Sequence, residues 1–61
     1  MSTIRIKKGV KPYGGRRMIV HERYLGSDGS LEYLGLWLPG QCPLGGCIRV
    51  YRADEVEDEK P

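Results

Sequence analysis

The chain has 61 residues, ten Lys and Arg against eight Asp and Glu, a formal net charge of +2 and 39% hydrophobic residues. That length holds one domain with one small core and leaves almost no room for a buried catalytic site. No apolar run approaches the roughly 20 residues of a membrane span, and Met1-Ser2-Thr3-Ile4-Arg5 lacks the apolar stretch of a secretory signal, so a cytoplasmic protein without a membrane partner is expected.

Ile4-Arg5-Ile6-Lys7 alternates apolar and polar residues with a period of two, which predicts a half-buried strand. Gly9 interrupts it, and Lys11-Pro12-Tyr13-Gly14-Gly15 reads as a loop because Pro and paired Gly end regular structure. Residues 16–24 and 30–38 then flank Gly26-Ser27-Asp28-Gly29. Its Asp-Gly tolerates positive φ, so the three segments together predict a β-hairpin. In the first arm Met18, Val20 and Glu22 share one face, and Met18 and Val20 are expected to point to the core. In the second arm Leu31, Tyr33, Gly35 and Trp37 alternate with Glu32, Leu34, Leu36 and Leu38. Apolar side chains on both faces suit a central strand, covered or curled, with Gly35 marking the bend.

Pro39-Gly40 stops that strand, and residues 41–47 form a loop by composition. Ile48-Arg49-Val50-Tyr51-Arg52 resumes alternation as a further strand. Ala53-Asp54-Glu55-Val56 is expected to make a short helical turn. Residues 57–61 read as a charged flexible tail, giving a domain over residues 1–56 and a tail beyond it. With no Phe, one Trp and four Tyr, the bulk of the core must come from Trp37 and the tyrosines. Several short strands in so small a chain favour an all-β fold, a curled antiparallel sheet or barrel, because curling hides strand edges.

Gly14-Gly15-Arg16-Arg17-Met18-Ile19-Val20, Leu36-Trp37-Leu38-Pro39-Gly40 and Val50-Tyr51-Arg52-Ala53-Asp54-Glu55-Val56 resemble the corresponding segments of the YodC-like small bacterial proteins. The resemblance spans residues 14–56 and implies a small SH3-like barrel of uncharacterised biochemical role. Two features depart from that pattern. The family's Gly-Asp before the first of these strands is missing, and the loop from Cys42 to Cys47 is an insertion.

Charge is distributed unevenly along the chain. Arg5, Lys7, Lys8, Lys11, Arg16, Arg17 and Arg23 accumulate early against the single acid Glu22, whereas Asp54, Glu55, Glu57, Asp58 and Glu59 close the chain. The two blocks either pair with each other or leave a basic face for an acidic partner or phosphate. Tyr13, Tyr24, Tyr33 and Tyr51 are available beside Arg16, Arg17, Arg23, Arg49 and Arg52, a combination that small barrels use to hold nucleic acid. The competing expectation places Tyr33, Trp37 and Tyr51 in the core and leaves the arginines as solvated surface. Net charge near zero favours a protein partner over nucleic acid, and Tyr13, Arg16, Arg17, Arg23 and Tyr24 are the expected binding face.

Cys42-Pro43-Leu44-Gly45-Gly46-Cys47 leaves three readings open: two reduced thiols, a disulfide across the Gly-rich loop, or part of a metal site. Tetrahedral zinc needs four ligands, and His21 is the one further N or S ligand of the usual kind, so Cys42 and Cys47 are weak metal candidates and no cofactor is expected. Two cysteines are too few for the multi-bridge framework of a small secreted domain, which fits a reducing compartment and favours the reduced pair. His21 and Glu22 are strand neighbours on opposite faces and do not converge as acid and base. Gly14-Gly15 lacks the Lys-Ser/Thr of a phosphate loop. The sequence therefore predicts a non-enzymatic adaptor binding another protein, with nucleic-acid binding and a redox or zinc-linked module as alternatives. Leu34, Leu36 and Leu38, opposite Trp37, make a homodimer a further expectation.

Overall fold

The computed structural model describes residues 1–38, 40–43 and 46–61. The expected strand stop at Pro39 and the Leu44-Gly45 part of the cysteine loop lie outside them. Alternation produces the strands where the sequence places it: β1 (Thr3–Ile6), β2 (Arg17–Leu25), β3 (Leu31–Trp37) and β4 (Ile48–Arg52). A 3-10 turn over Ala53–Glu55 follows β4 and leads directly into β5 (Val56–Lys60). All neighbours are antiparallel, and the sheet runs in the order β4-β3-β2-β1-β5. Among the described residues the fold is thus all-β, and no helix is long and apolar enough to cross a membrane.

The fifth strand corrects the expected tail. Val56 is buried against the core and pairs with Ile6, Glu57 with Arg5, and Lys60 with Thr3. A run of charges can still form a strand when a neighbour supplies backbone partners and opposite charges for its side chains. Here β1 supplies the backbone partners, and Arg5 of β1 together with Arg17 and Arg23 of β2 supplies the charges.

Although β4 and β5 are the two edges of the sheet, only three residues of 3-10 turn join them. So short a link requires the sheet to curl, and both edges deliver a side chain to one core: Ile4, Ile6, Met18, Trp37, Tyr51 and Val56. Met18 pairs across the ladders with Ile4 on one side and Trp37 on the other, which makes it the hinge pin of the core. Gly35 lies against it. A Cβ at that position would stand 2.9 Å from the Met18 methyl group, so the missing side chain is what lets Met18 seat there.

The expected alternation of Met18, Val20 and Glu22 fails at one residue. Val20 faces Gly35 but Glu22 faces Leu34, so His21 is an extra residue that shifts the ladder. Such a bulge reverses the faces beyond it. Val20 accordingly packs against the core, whereas Glu22 joins Leu34 and Val50 on the opposite face. That outer face also carries Ile19, Leu36 and Ile48, aligned by register. Ile48 is 59% and Val50 47% exposed, so the second apolar face of β3 is only half covered, by its own neighbours.

Candidate functional site: an aromatic and guanidinium cluster

The loop of residues 7–16 folds onto the core because its backbone is tied at both ends. Ile6 N–H donates to the Arg16 carbonyl at 2.8 Å, Gly15 N–H to Ile6 at 2.7 Å, and Val10 N–H to Lys7 at 3.1 Å. Gly14 sits at the closest approach. A Cβ there would meet the Val10 carbonyl oxygen at 2.6 Å and that of Lys7 at 2.8 Å, so the loop closes on itself only with glycine at this position. Tyr13, immediately before it, has φ of 70°, a left-handed conformation that costs a bulky residue roughly 1–3 kcal/mol. What offsets that strain is the destination of its ring.

The Tyr13 ring meets Trp37 edge to face with centroids 5.2 Å apart, a favoured arrangement for two quadrupoles. The Arg16 guanidinium lies 4.8 Å from the Trp37 ring centroid and 5.7 Å from that of Tyr13, and Arg49 lies 5.4 Å from Tyr13. Two cations therefore share one tyrosine ring, each within the range of a cation–π attraction. The Tyr51 hydroxyl donates to the Pro12 carbonyl at 2.7 Å and fixes the loop from beneath. Burial pushes that hydroxyl above the ordinary tyrosine value while Arg49 pulls the other way. Arg16 Nη2 also donates to the Gln41 carbonyl at 3.2 Å, which links the cluster to the cysteine loop.

One buried donor here has no partner. Trp37 is 5% exposed, and its indole N–H finds no acceptor among the described residues. An unmet buried donor costs roughly 1–3 kcal/mol. The packing of Trp37 against Met18, Tyr13 and Arg16 must offset that cost.

The arginines divide into two sets. Arg17 and Arg5 pair with Asp58, Arg23 with Glu59, and Arg52 with Asp54 and Glu55. Arg17 additionally donates to the Thr3 hydroxyl and the Asp58 carbonyl, both at 3.0 Å. Glu59 accepts from the Tyr33 hydroxyl at 3.0 Å as well. Asp58 and Glu59 of the late acidic block thus pair with three cations of the early basic block, Arg5, Arg17 and Arg23, so the pairing that the charge pattern left open is realised in part. Arg16 and Arg49 belong to neither pairing: among the described residues no carboxylate forms an ion pair with them.

The expected face of Tyr13, Arg16, Arg17, Arg23 and Tyr24 is consequently split. Tyr13 and Arg16 come together at the cluster. Arg17 and Arg23 lie under β5 acids. Tyr24 stands near the far end of the hairpin, where its hydroxyl is pushed up first by desolvation and then by the hydrogen bond and charge of Glu32 and the charge of Glu22. Its surroundings are acidic, the reverse of the face to which it was assigned. Arg49 completes the cluster, and its signal was present in the alternation of β4, which puts Arg49 on the face of Tyr51 and opposite Ile48 and Val50.

Cys42 and Cys47 are joined in a disulfide, which corrects the expectation of reduced thiols and removes both sulfurs as metal candidates. Their Cα atoms are 5.0 Å apart, within bonding reach. Between them the Gly46 N–H donates to the Pro43 carbonyl at 3.1 Å. The flanking bonds lead straight to the cluster: Trp37 N–H donates to the Cys47 carbonyl at 3.2 Å, and Gln41 N–H to Leu38 at 3.0 Å.

A scan against protein-family models and searches of curated proteins and of solved structures return no match to this chain. The functional reading therefore rests on the chain's own chemistry.

Proposed function

We propose that this protein is a small non-enzymatic binding module of SH3-like type that holds an acidic segment of another protein against Arg16 and Arg49. The strand order β4-β3-β2-β1-β5 with a 3-10 turn before the last strand supports the SH3-like reading, as does the resemblance to the YodC-like proteins. The observation that carries the binding reading is the pair of guanidiniums gathered on Tyr13 without a carboxylate partner among the described residues, while Arg5, Arg17, Arg23 and Arg52 are all compensated. Two planar cations held by an aromatic ring are pre-oriented for carboxylates, and hydrogen bonds to charged groups contribute about 1.5–3 kcal/mol each. Lys7, Lys8 and Lys11 on the same loop extend the positive potential.

A protein partner is favoured over nucleic acid by the rings. Sequence-tolerant nucleic-acid binding needs exposed aromatic faces on which bases stack. Trp37 is buried, and the Tyr13 ring is already engaged by Trp37 and two guanidiniums.

The test is fluorescence anisotropy with an N-terminally labelled oligoglutamate peptide, beside a labelled single-stranded oligonucleotide, at low and physiological ionic strength. The peptide should bind, and the double variant Arg16→Gln with Arg49→Gln should weaken it roughly tenfold or more, where tenfold corresponds to about 1.4 kcal/mol. Peptide binding that is indifferent to both substitutions, or tighter binding of the oligonucleotide, overturns the reading.

A further inference from the structure

We propose that the Cys42–Cys47 disulfide is a redox latch on the guanidinium cluster, so that its reduction by a dithiol weakens the hold on the acidic partner. The proposal rests on the binding reading above for its ligand, and on the loop geometry for its mechanism. The segment between β3 and β4 touches the cluster at two points, one on each side of the disulfide. Just before Cys42, the Gln41 carbonyl receives Arg16 Nη2 at 3.2 Å. At Cys47, the carbonyl receives the backbone N–H of Trp37 at 3.2 Å, the residue on whose ring Arg16 lies.

With the disulfide closed, Gln41 and Cys47 are tied to one another through a short covalent ring, and both acceptors hold their places together. With it open, the Gln41 acceptor is attached to Cys47 only through the chain of the loop, whose conformational freedom rises. The Gln41 carbonyl is then placed only by the Gln41 N–H bond to Leu38, so the side-chain anchor of Arg16 loosens and its attraction to the rings carries more of the hold. Both cysteines are exposed, so a dithiol can reach them.

The chemistry balances with that co-reactant. One thiolate of the dithiol attacks a disulfide sulfur, the Cys42–Cys47 bond breaks, and the released sulfur takes up a proton. The second thiol of the reductant, as thiolate, then attacks the reductant's own sulfur in the mixed disulfide, and the remaining cysteine leaves as a thiolate and takes up the second proton. The reductant leaves as its own disulfide, and two electrons and two protons reside on the cysteines. A thiol-reducing compartment thus opens the latch and an oxidising one closes it.

The experiment uses the full chain, oxidised and after dithiol reduction, with thiol labelling to verify each state. Two readouts are taken: anisotropy of the labelled oligoglutamate peptide, and fluorescence of Trp37, the single tryptophan. Reduction should weaken the peptide roughly three- to tenfold, less than the full loss of a charge-assisted hydrogen bond because the Arg16 anchor is loosened and not removed, and should shift the Trp37 emission. Arg16→Gln should lose most of both responses. Cys42→Ser with Cys47→Ser should match the reduced chain and ignore the dithiol; should that variant fail to fold, the reduced natural chain carries the comparison.

The two ideas separate in the outcomes. If the peptide binds neither form but reduction shifts Trp37 in the natural chain and not in Arg16→Gln, the latch stands and the acidic-partner reading falls. Equal affinity in both states with Arg16-independent Trp37 emission overturns the latch.

Discussion

Two flanks of one curled sheet handle the same residue type in opposite ways. On the β1 and β5 side, Arg5, Arg17 and Arg23 are covered by Asp58 and Glu59, and the edge strand is polar and bulged. At the β3 and β4 side, Arg16 and Arg49 rest on Tyr13 and Trp37 with no acid among the described residues, beside a disulfide loop. The first flank is electrostatically finished. The second keeps two cations oriented at the cost of a left-handed tyrosine and an unmet indole donor. The difference teaches that counting arginines in a chain says little until their partners are known.

The largest expected effect comes from Met18, which joins the two flanks. Met18→Ala removes a fully buried side chain and should cost about 2–5 kcal/mol, read as a fall in the urea midpoint. If the flanks are one cooperative unit, hairpin and β5 signals should be lost in a single transition. Separate transitions would show that they are independent.

Gly14→Ala comes next and acts on the second flank. Its Cβ would collide with two carbonyl oxygens of the loop, so a loss of about 1–3 kcal/mol is expected. Oligoglutamate affinity should fall with it, because Tyr13 is displaced. Retained affinity with reduced stability would separate the loop from the cluster.

The opposite flank answers to Asp58→Asn. Asp58 has φ of 56°, which Asn tolerates, so the change removes charge with little backbone strain. Exposed pairs contribute roughly 0–1 kcal/mol and fade with salt. Thermal melts at low and high salt should converge for the natural chain and the variant, and peptide binding should stay unchanged. A loss of peptide binding would mean that the flanks are coupled.

The smallest effect lies in the hairpin turn, outside both flanks. The Asp28 carboxylate accepts the Ser30 N–H at 3.0 Å, and that bond holds it below its ordinary value of 3.8. A depressed carboxylate contributes stability above its unfolded pKa and loses it as pH falls through the folded one. The stability difference between the natural chain and Asp28→Ala should therefore be constant above the ordinary value and narrow below it, which melts across acidic pH would record. A difference that widens on acidification would reverse the assignment.

Much of the fold was legible in the residues. The Asp-Gly turn, the alternation of β1, β3 and β4, and the helical turn after β4 are local signals, and each appears where it was read. The His21 bulge was not legible, because an inserted residue is visible only against the partner strand. β5 was missed because five mostly charged residues resemble a solvated tail until Arg5, Arg17 and Arg23 are beside them. The site was half legible: Tyr13 and Arg16 stand close in sequence, whereas Arg49 arrives from β4 and Tyr24 leaves with the far end of the hairpin.

By itself, then, the sequence determined what local chemistry determines: the strands, the turn, the small aromatic core and the uneven charge. Tertiary structure decided which charges cancel and which stay available, because ion pairing and cation–π contact depend on distances set by curling and register. It also decided that Cys42 and Cys47 meet, since bond formation needs two sulfurs in reach of each other. Spacing along the chain left that open.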